Sequence, residues 1–181
     1  MLPTVKGDKK AEFTAKLVQK FSETLIETLK NHPINVKRKK EGKPYTNYVT
    51  LRGCGQMLNL PDFKEKFNMR PFMIAPTAII RGVGITLGIP LLEVKGATGY
   101  YDSNLNGKAL TAAKAFMSDK FDFGFVHVKS VDDAGHDKDH KIKVEQLEKS
   151  DRMIKTFIDE VKGDKERDYI IIITGDHTTP T

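Results

Sequence analysis

Carboxylates and imidazoles come together at two places in this 181-residue sequence: Asp132-Asp133-Ala134-Gly135-His136, and Asp176-His177. Carboxylate oxygen and imidazole nitrogen together suit zinc, manganese and related divalent ions, and a ligand set without thiolate argues against a purely structural zinc. A single Asp-His pair in a loop is more often a hydrogen-bonded turn than a ligand set. Two pairs weigh more, because each follows closely on a strand-like segment. Parallel strands end on one edge of a sheet, and open α/β folds place their sites there. Other chemistry-bearing residues read more plainly. His127 lies inside its strand as a packed imidazole, His140 in a charged loop, and His32 at a helix end where the dipole favours partial positive charge. Ser130 reads as a loop hydroxyl. Cys54 sits beside Arg52 with no histidine close in sequence to activate it. Gly82, Gly84 and Gly88 fall within or late in a helix, so they do not form the dinucleotide fingerprint.

The elements that must position these clusters follow from periodicity. Phe13, Leu17, Phe21, Leu25 and Leu29 recur every four residues, which predicts an amphipathic helix from Lys9 to Asn31 that packs on something, ended by His32-Pro33. A basic loop with Lys37, Arg38, Lys39, Lys40 and Lys43 follows and reads as a solvated run. Tyr48–Leu51 reads as a short strand. Strands are then expected at 72–75, 91–94, 123–128 and 169–173, alternating with helices at 77–87, 106–118 and 141–161. Val144, Leu147, Ile154, Ile158 and Val161 form the apolar face of the last helix. Tyr169–Ile173 looks apolar on both sides, as a central strand covered by helices must be. The alternation implies an α/β fold with a mainly parallel sheet flanked by helices.

Composition bounds the functional class. With 39% hydrophobic and 30% charged residues, the chain reads as an ordinary globular protein. One cysteine excludes an internal disulfide framework and fits a reducing compartment, so a cytoplasmic location is expected. No apolar run approaches the roughly 20 residues needed to cross a bilayer, and the polar start has no signal-peptide core. No membrane partner is expected. The net charge of +6 arises at the front: residues 1–70 carry 15 Lys/Arg against 7 Asp/Glu, and residues 71–181 carry 15 against 17. That basic stretch lacks the interleaved aromatics that nucleic-acid binding needs, so no nucleic-acid partner is expected.

Val126-His127-Val128-Lys129 running into Asp132-Asp133-Ala134-Gly135-His136-Asp137, then Thr174-Gly175-Asp176-His177-Thr178-Thr179-Pro180, resembles the archaeal-type cofactor-independent (2,3-bisphosphoglycerate-independent) phosphoglycerate mutases of the alkaline phosphatase superfamily. Further blocks resemble that family in the same order: His32-Pro33-Ile34-Asn35, Leu51-Arg52-Gly53, Ala78-Ile79-Ile80-Arg81-Gly82-Val83-Gly84, and Gly96-Ala97-Thr98-Gly99-Tyr100 with Asp102. Roughly residues 30 to 181 are covered.

The resemblance implies a metal-dependent phosphoryl transfer interconverting 3-phosphoglycerate and 2-phosphoglycerate through a phosphoserine intermediate. It implies two divalent ions, Mn²⁺ or Zn²⁺ with Mg²⁺ a third candidate. Asp132 and His136 would ligate one ion and Asp176 and His177 the other, with Arg52 and Arg81 as substrate-contacting cations. The substrate would be a small phosphorylated acid. Family members begin with a strand carrying a metal-binding aspartate, followed by the nucleophilic serine, and neither is found before residue 50; a further histidine is expected beyond Thr181. The sequence is therefore expected to be an inactive portion of such an enzyme, with residues 1–47 the end of an inserted cap domain and residues 48–181 an incomplete alkaline-phosphatase-like core. Two other readings stay open: another phosphoryl-transfer or phosphonate enzyme of the same superfamily, and a catalytically dead binding protein.

Overall fold

Asp8 starts helix α1 (Lys9–Asn31): its carboxylate accepts from the amides of Lys10 at 2.8 Å and Ala11 at 3.5 Å, taking up two donors that the first helical turn leaves free. The computed structural model describes residues 2–51, 53, 55 and 58–180. They divide into two compact units, Met1–Met57 and Leu58–Thr181.

In the first unit His32 ends α1 and at once caps a second helix, α2 (Pro33–Lys40), where a loop was expected. Its Nδ1 accepts from the Ile34 amide at 3.3 Å, so the ring serves as an acceptor rather than as a positive end group, and Pro33 occupies the first turn, where its missing N–H costs nothing. The basic run is thus mostly helical. Buried Asn35 ties the unit together, with Nδ2 donating to the carbonyls of Leu29 (2.8 Å) and Thr46 (2.7 Å) and Oδ1 accepting from the Thr46 amide. Within this unit α1 packs on α2 at its C-terminal end, where Leu25 and Leu29 are half-buried, while Phe13, Leu17 and Phe21 are exposed. Nor is Tyr48–Leu51 a strand: among the described residues no neighbouring strand offers it a ladder.

The second unit is built on two parallel strands, β1 (Pro71–Ile74) and β2 (Phe123–Val126), in register from Pro71↔Phe123 to Ile74↔Val126. At their starts Arg70 grips Asp122 through Nε (2.9 Å) and Nη2 (2.6 Å), and its own amide donates to the same carboxylate at 3.0 Å. On the far side of β1 the expected strand 91–94 is reduced to a single parallel bridge, Met73↔Leu91, because Pro90 has no amide to lend and the chain turns back at Val94–Ala97.

Four helices flank or follow this pair: α4 (Ala78–Thr86), α5 (Leu105–Met117), α6 (Ser130–His136) and α7 (His140–Val161); a short α3 (Phe63–Phe67), not expected, precedes β1 and stacks Phe63 against Phe123 at 4.8 Å. The core is Phe72 and Ile74 of β1 against Ala112 and Ala115 of α5, with Phe116, Phe121 and Phe157 packed around them. Phe72 meets Phe116 and Phe121 edge-on at 5.1 and 5.3 Å. The alanines let α5 lie close.

Two expectations fail here. On α7 Val161 is buried, but Val144, Leu147 and Ile158 are exposed and the fully covered residue is Gln146. Tyr169–Ile173 forms no strand: Tyr169 packs on Phe116 and Phe157 at 5.9 and 6.1 Å, but Ile170 is 91% and Ile172 83% exposed, and among the described residues no ladder pairs with them. Among the described residues no helix is long and apolar enough to cross a membrane.

Candidate metal centre

The first cluster is helical rather than a loop. Its seven residues show no apolar periodicity, but Asp132 and Asp133 lie in the first turn of α6 and His136 in the last, the charge placement a helix dipole favours. Helical spacing puts Asp132 and His136 on one face, with Oδ2 and Nε2 3.5 Å apart. In the second cluster Asp176 Oδ2 and His177 Nε2 lie 3.4 Å apart, and the His177 amide caps Asp176 Oδ1 at 3.0 Å.

The two clusters meet at Thr179. Its Oγ1 donates to Asp132 Oδ1 at 2.5 Å and lies 3.2 Å from His177 Nδ1. Gly135 makes the approach possible, since a Cβ there would stand 2.7 Å from the Thr179 carbonyl oxygen. Lys143 of α7 holds that same carbonyl. A hydroxyl that gives its proton to Asp132 accepts one from His177 Nδ1; the tautomer consistent with this leaves Nε2 with a free lone pair.

Charges around Asp132 are dense. Lys129 donates to Asp132 Oδ2 and, at 2.6 Å, to Asp133 Oδ1. The Lys129 hydrogen bond, then that of Thr179, holds the Asp132 carboxyl down at about 2. Tyr101 donates to Asp137, just past α6, at 2.6 Å, and that carboxylate together with burial pushes the phenol up to about 12. Beneath the end of β2, fully buried Lys108 donates to the His127 carbonyl at 2.7 Å, and burial alone brings its ammonium down to about 8. His127 is lowered by its own burial and by the Lys108 charge. The buried Nδ1 of His127 and Oγ of Ser130 have no hydrogen-bond partner among the described residues.

Do these residues suit a divalent ion? With bonds of about 2.1 Å, two ligands on a tetrahedral ion stand roughly 3.4 Å apart. Both pairs match that separation, and their oxygen and nitrogen donors fit zinc or manganese. Among the described residues no three such donors gather, so each pair supplies about half of a usual shell. Asp176 is also open to solvent, 79% exposed.

Arg81 lies at the carboxyl end of β1, by a cleft of about 150 Å³ lined by Ala75, Pro76, Leu92 and Val94. Its guanidinium is 2.5 Å from Glu93 and 3.5 Å from the Ala75 carbonyl. Arg52 and Cys54 lie outside the described residues. Lys129, Thr179 and Gly135 are the functional neighbours that periodicity does not single out, although all three fall inside the motif blocks. Lys108 gave no signal, since a lysine on an alanine-rich helix reads as solvated.

A 2,3-bisphosphoglycerate-independent phosphoglycerate mutase of Pyrococcus furiosus is 40% identical over 174 residues, 96% of this chain and 41% of the relative. The 2,3-bisphosphoglycerate-independent phosphoglycerate mutase 1 of Methanocaldococcus jannaschii is 37% identical over 170 residues, 94% of this chain and 40% of the relative. A solved Pyrococcus horikoshii structure matches with a TM-score of 0.73 at 36% identity, covering 86% of this chain and 40% of that one. The chain thus spans about two fifths of the length of the curated relatives it matches. The Metalloenzyme superfamily matches residues 9–181, and the chain belongs to that superfamily.

Proposed function

We propose that this chain supplies the metal-holding part of a cofactor-independent phosphoglycerate mutase, interconverting 3-phosphoglycerate and 2-phosphoglycerate through a phosphoserine whose serine lies outside these 181 residues. The observation that supports this reading is the Thr179 hydroxyl, which bonds to Asp132 of one Asp-His pair and lies 3.2 Å from His177 of the other. Asp132 and His136 would hold one divalent ion, Asp176 and His177 a second; Mn²⁺ or Zn²⁺ fits the donors, with Mg²⁺ third. Such ions lower the pKa of a hydroxyl nucleophile and offset charge on a transferring phosphoryl group.

The chain's own residues prepare the site. Lys129 and Thr179 keep Asp132 ionised, and Thr179 fixes the His177 ring by its Nδ1 side. Glu93 is exposed, so an incoming phosphate or carboxylate can replace it on Arg81, whose guanidinium fork suits either anion. Arg52 is proposed for the same anionic substrate. Residues 1–47 are assigned to the end of a cap and 48–181 to the metal-binding core, in a cytoplasmic enzyme.

Calorimetry with Mn²⁺ tests the ligand assignment: the chain should take up metal and the His136→Ala/His177→Ala variant should not. Equal uptake by both would overturn it. A 3-phosphoglycerate assay on this chain should show no turnover, and turnover that Asp176→Ala abolishes would refute its inactivity alone.

A further inference from the structure

Both oxygens of Asp132 are taken: Oδ1 by Thr179 and Oδ2 by Lys129. His136 Nε2 faces that same Oδ2. The Lys129 ammonium also reaches Asp133 Oδ1 at 2.6 Å, so a single positive charge sits between two carboxylates and beside an imidazole nitrogen. This is the environment that the proposed metal site would offer to a cation. An ion approaching Oδ2 meets the ammonium there, and two positive charges at one carboxylate oxygen repel each other.

We propose that Lys129 is a resident counter-cation of the first ligand pair, which a divalent ion must displace in order to bind. The proposal rests on the metal reading of Asp132 and His136 given above. Lys129 is half-buried, and its side chain runs past Gly99, where a Cβ would lie 3.8 Å from the Lys129 Cγ and 3.6 Å from Thr77 Cγ2. With the ion in place the freed ammonium remains at the carboxyl edge of the sheet, available to an anionic substrate. Before that it offsets the repulsion between the adjacent carboxylates of Asp132 and Asp133 in the first turn of α6. Asp133 then holds the lysine and does not ligate the metal.

The test is Mn²⁺ titration calorimetry on the 181-residue chain and on Lys129→Met, which keeps the aliphatic stem and removes the charge. Lys129→Met should bind Mn²⁺ roughly tenfold more tightly at neutral pH. The decisive second variant is Asp133→Asn: loss of one carboxylate should leave affinity unchanged or raise it several-fold, because the lysine loses half of its hold. Circular dichroism confirms that each variant folds, and Asp133→Asn keeps the test alive should Lys129→Met unfold. Equal or weaker binding by Lys129→Met overturns the proposal, as does weaker binding by Asp133→Asn. Metal uptake that is lost in Asp132→Ala but unaltered in Lys129→Met defeats this inference alone. Absence of uptake by every form, the starting chain included, defeats the metal reading and this inference with it.

Discussion

Thr179 Oγ1 donates to Asp132 Oδ1 across 47 residues of chain, and Gly135, one turn along the same helix, is the position that admits it. Gly135→Ala would bring a methyl group to 2.7 Å from a backbone oxygen that Lys143 also holds, so the contact cannot be eased by turning a side chain. We expect the segment 177–180 to come away from α6, at a cost of about 1–3 kcal/mol set partly against the better helix propensity of alanine. The check is the Thr179 amide and methyl shifts by NMR; unchanged shifts with unchanged melting would refute it.

Asp132 should titrate near 2 rather than at its usual 3.8, because Lys129 and then Thr179 hydrogen-bond its charged form. A depressed carboxylate contributes stability above its unfolded pKa, and that contribution fades as pH falls from about 4 through 2. In Thr179→Val the carbon-detected carboxyl titration of Asp132 should move upward, and in Lys129→Met further still. A midpoint unmoved by both changes would contradict the assignment.

Lys108 gives a slope of the same sign at the alkaline end, there because a buried charge is relieved rather than a favourable one gained. Burial lowers its pKa from 10.5 to about 8, so between those values the unfolded chain holds a proton that the folded one has released. Stability from this group therefore rises with pH across that window. Denaturant melts at pH 8 and pH 10.5 should show the rise in the wild type and a flatter dependence in Lys108→Met.

Phe72 carries the core. It has no exposed surface and meets two aromatic edges, and a Cβ on Gly124 of the neighbouring strand would stand 2.4 Å from its ring. Phe72→Ala should cost about 3–5 kcal/mol, read by urea unfolding. Gly124→Ala should cost about 1–3 kcal/mol by overpacking, and a neutral result there would mean that the ring can move aside.

What the sequence made legible was local. The fourfold repeat of Phe13 to Leu29 gives α1, and the alternation from Phe72 to Val126 gives the parallel pair with helices between. The two Asp-His clusters stood out as candidates because each follows a strand-like segment, and in the structure Thr179 bonds to Asp132 of the first and lies against His177 of the second. What failed depended on neighbours. A strand exists only beside another strand, so 48–51, 91–94 and 169–173 had the right residues without a full ladder. The seven-residue α6 is held by charge placement and by contact with Thr179, neither of which periodicity can register. Lys108 is buried because α5 lies against the end of β2, a tertiary fact with no local trace.

The run Ile170–Ile173 carries a practical consequence. Four consecutive β-branched residues, exposed and without a ladder among the described residues, are the kind of segment on which another chain adds as a strand. Aggregation of the isolated chain should therefore begin here, rise with concentration, and be slowed by a lysine at Ile172, which projects into water without supporting the core.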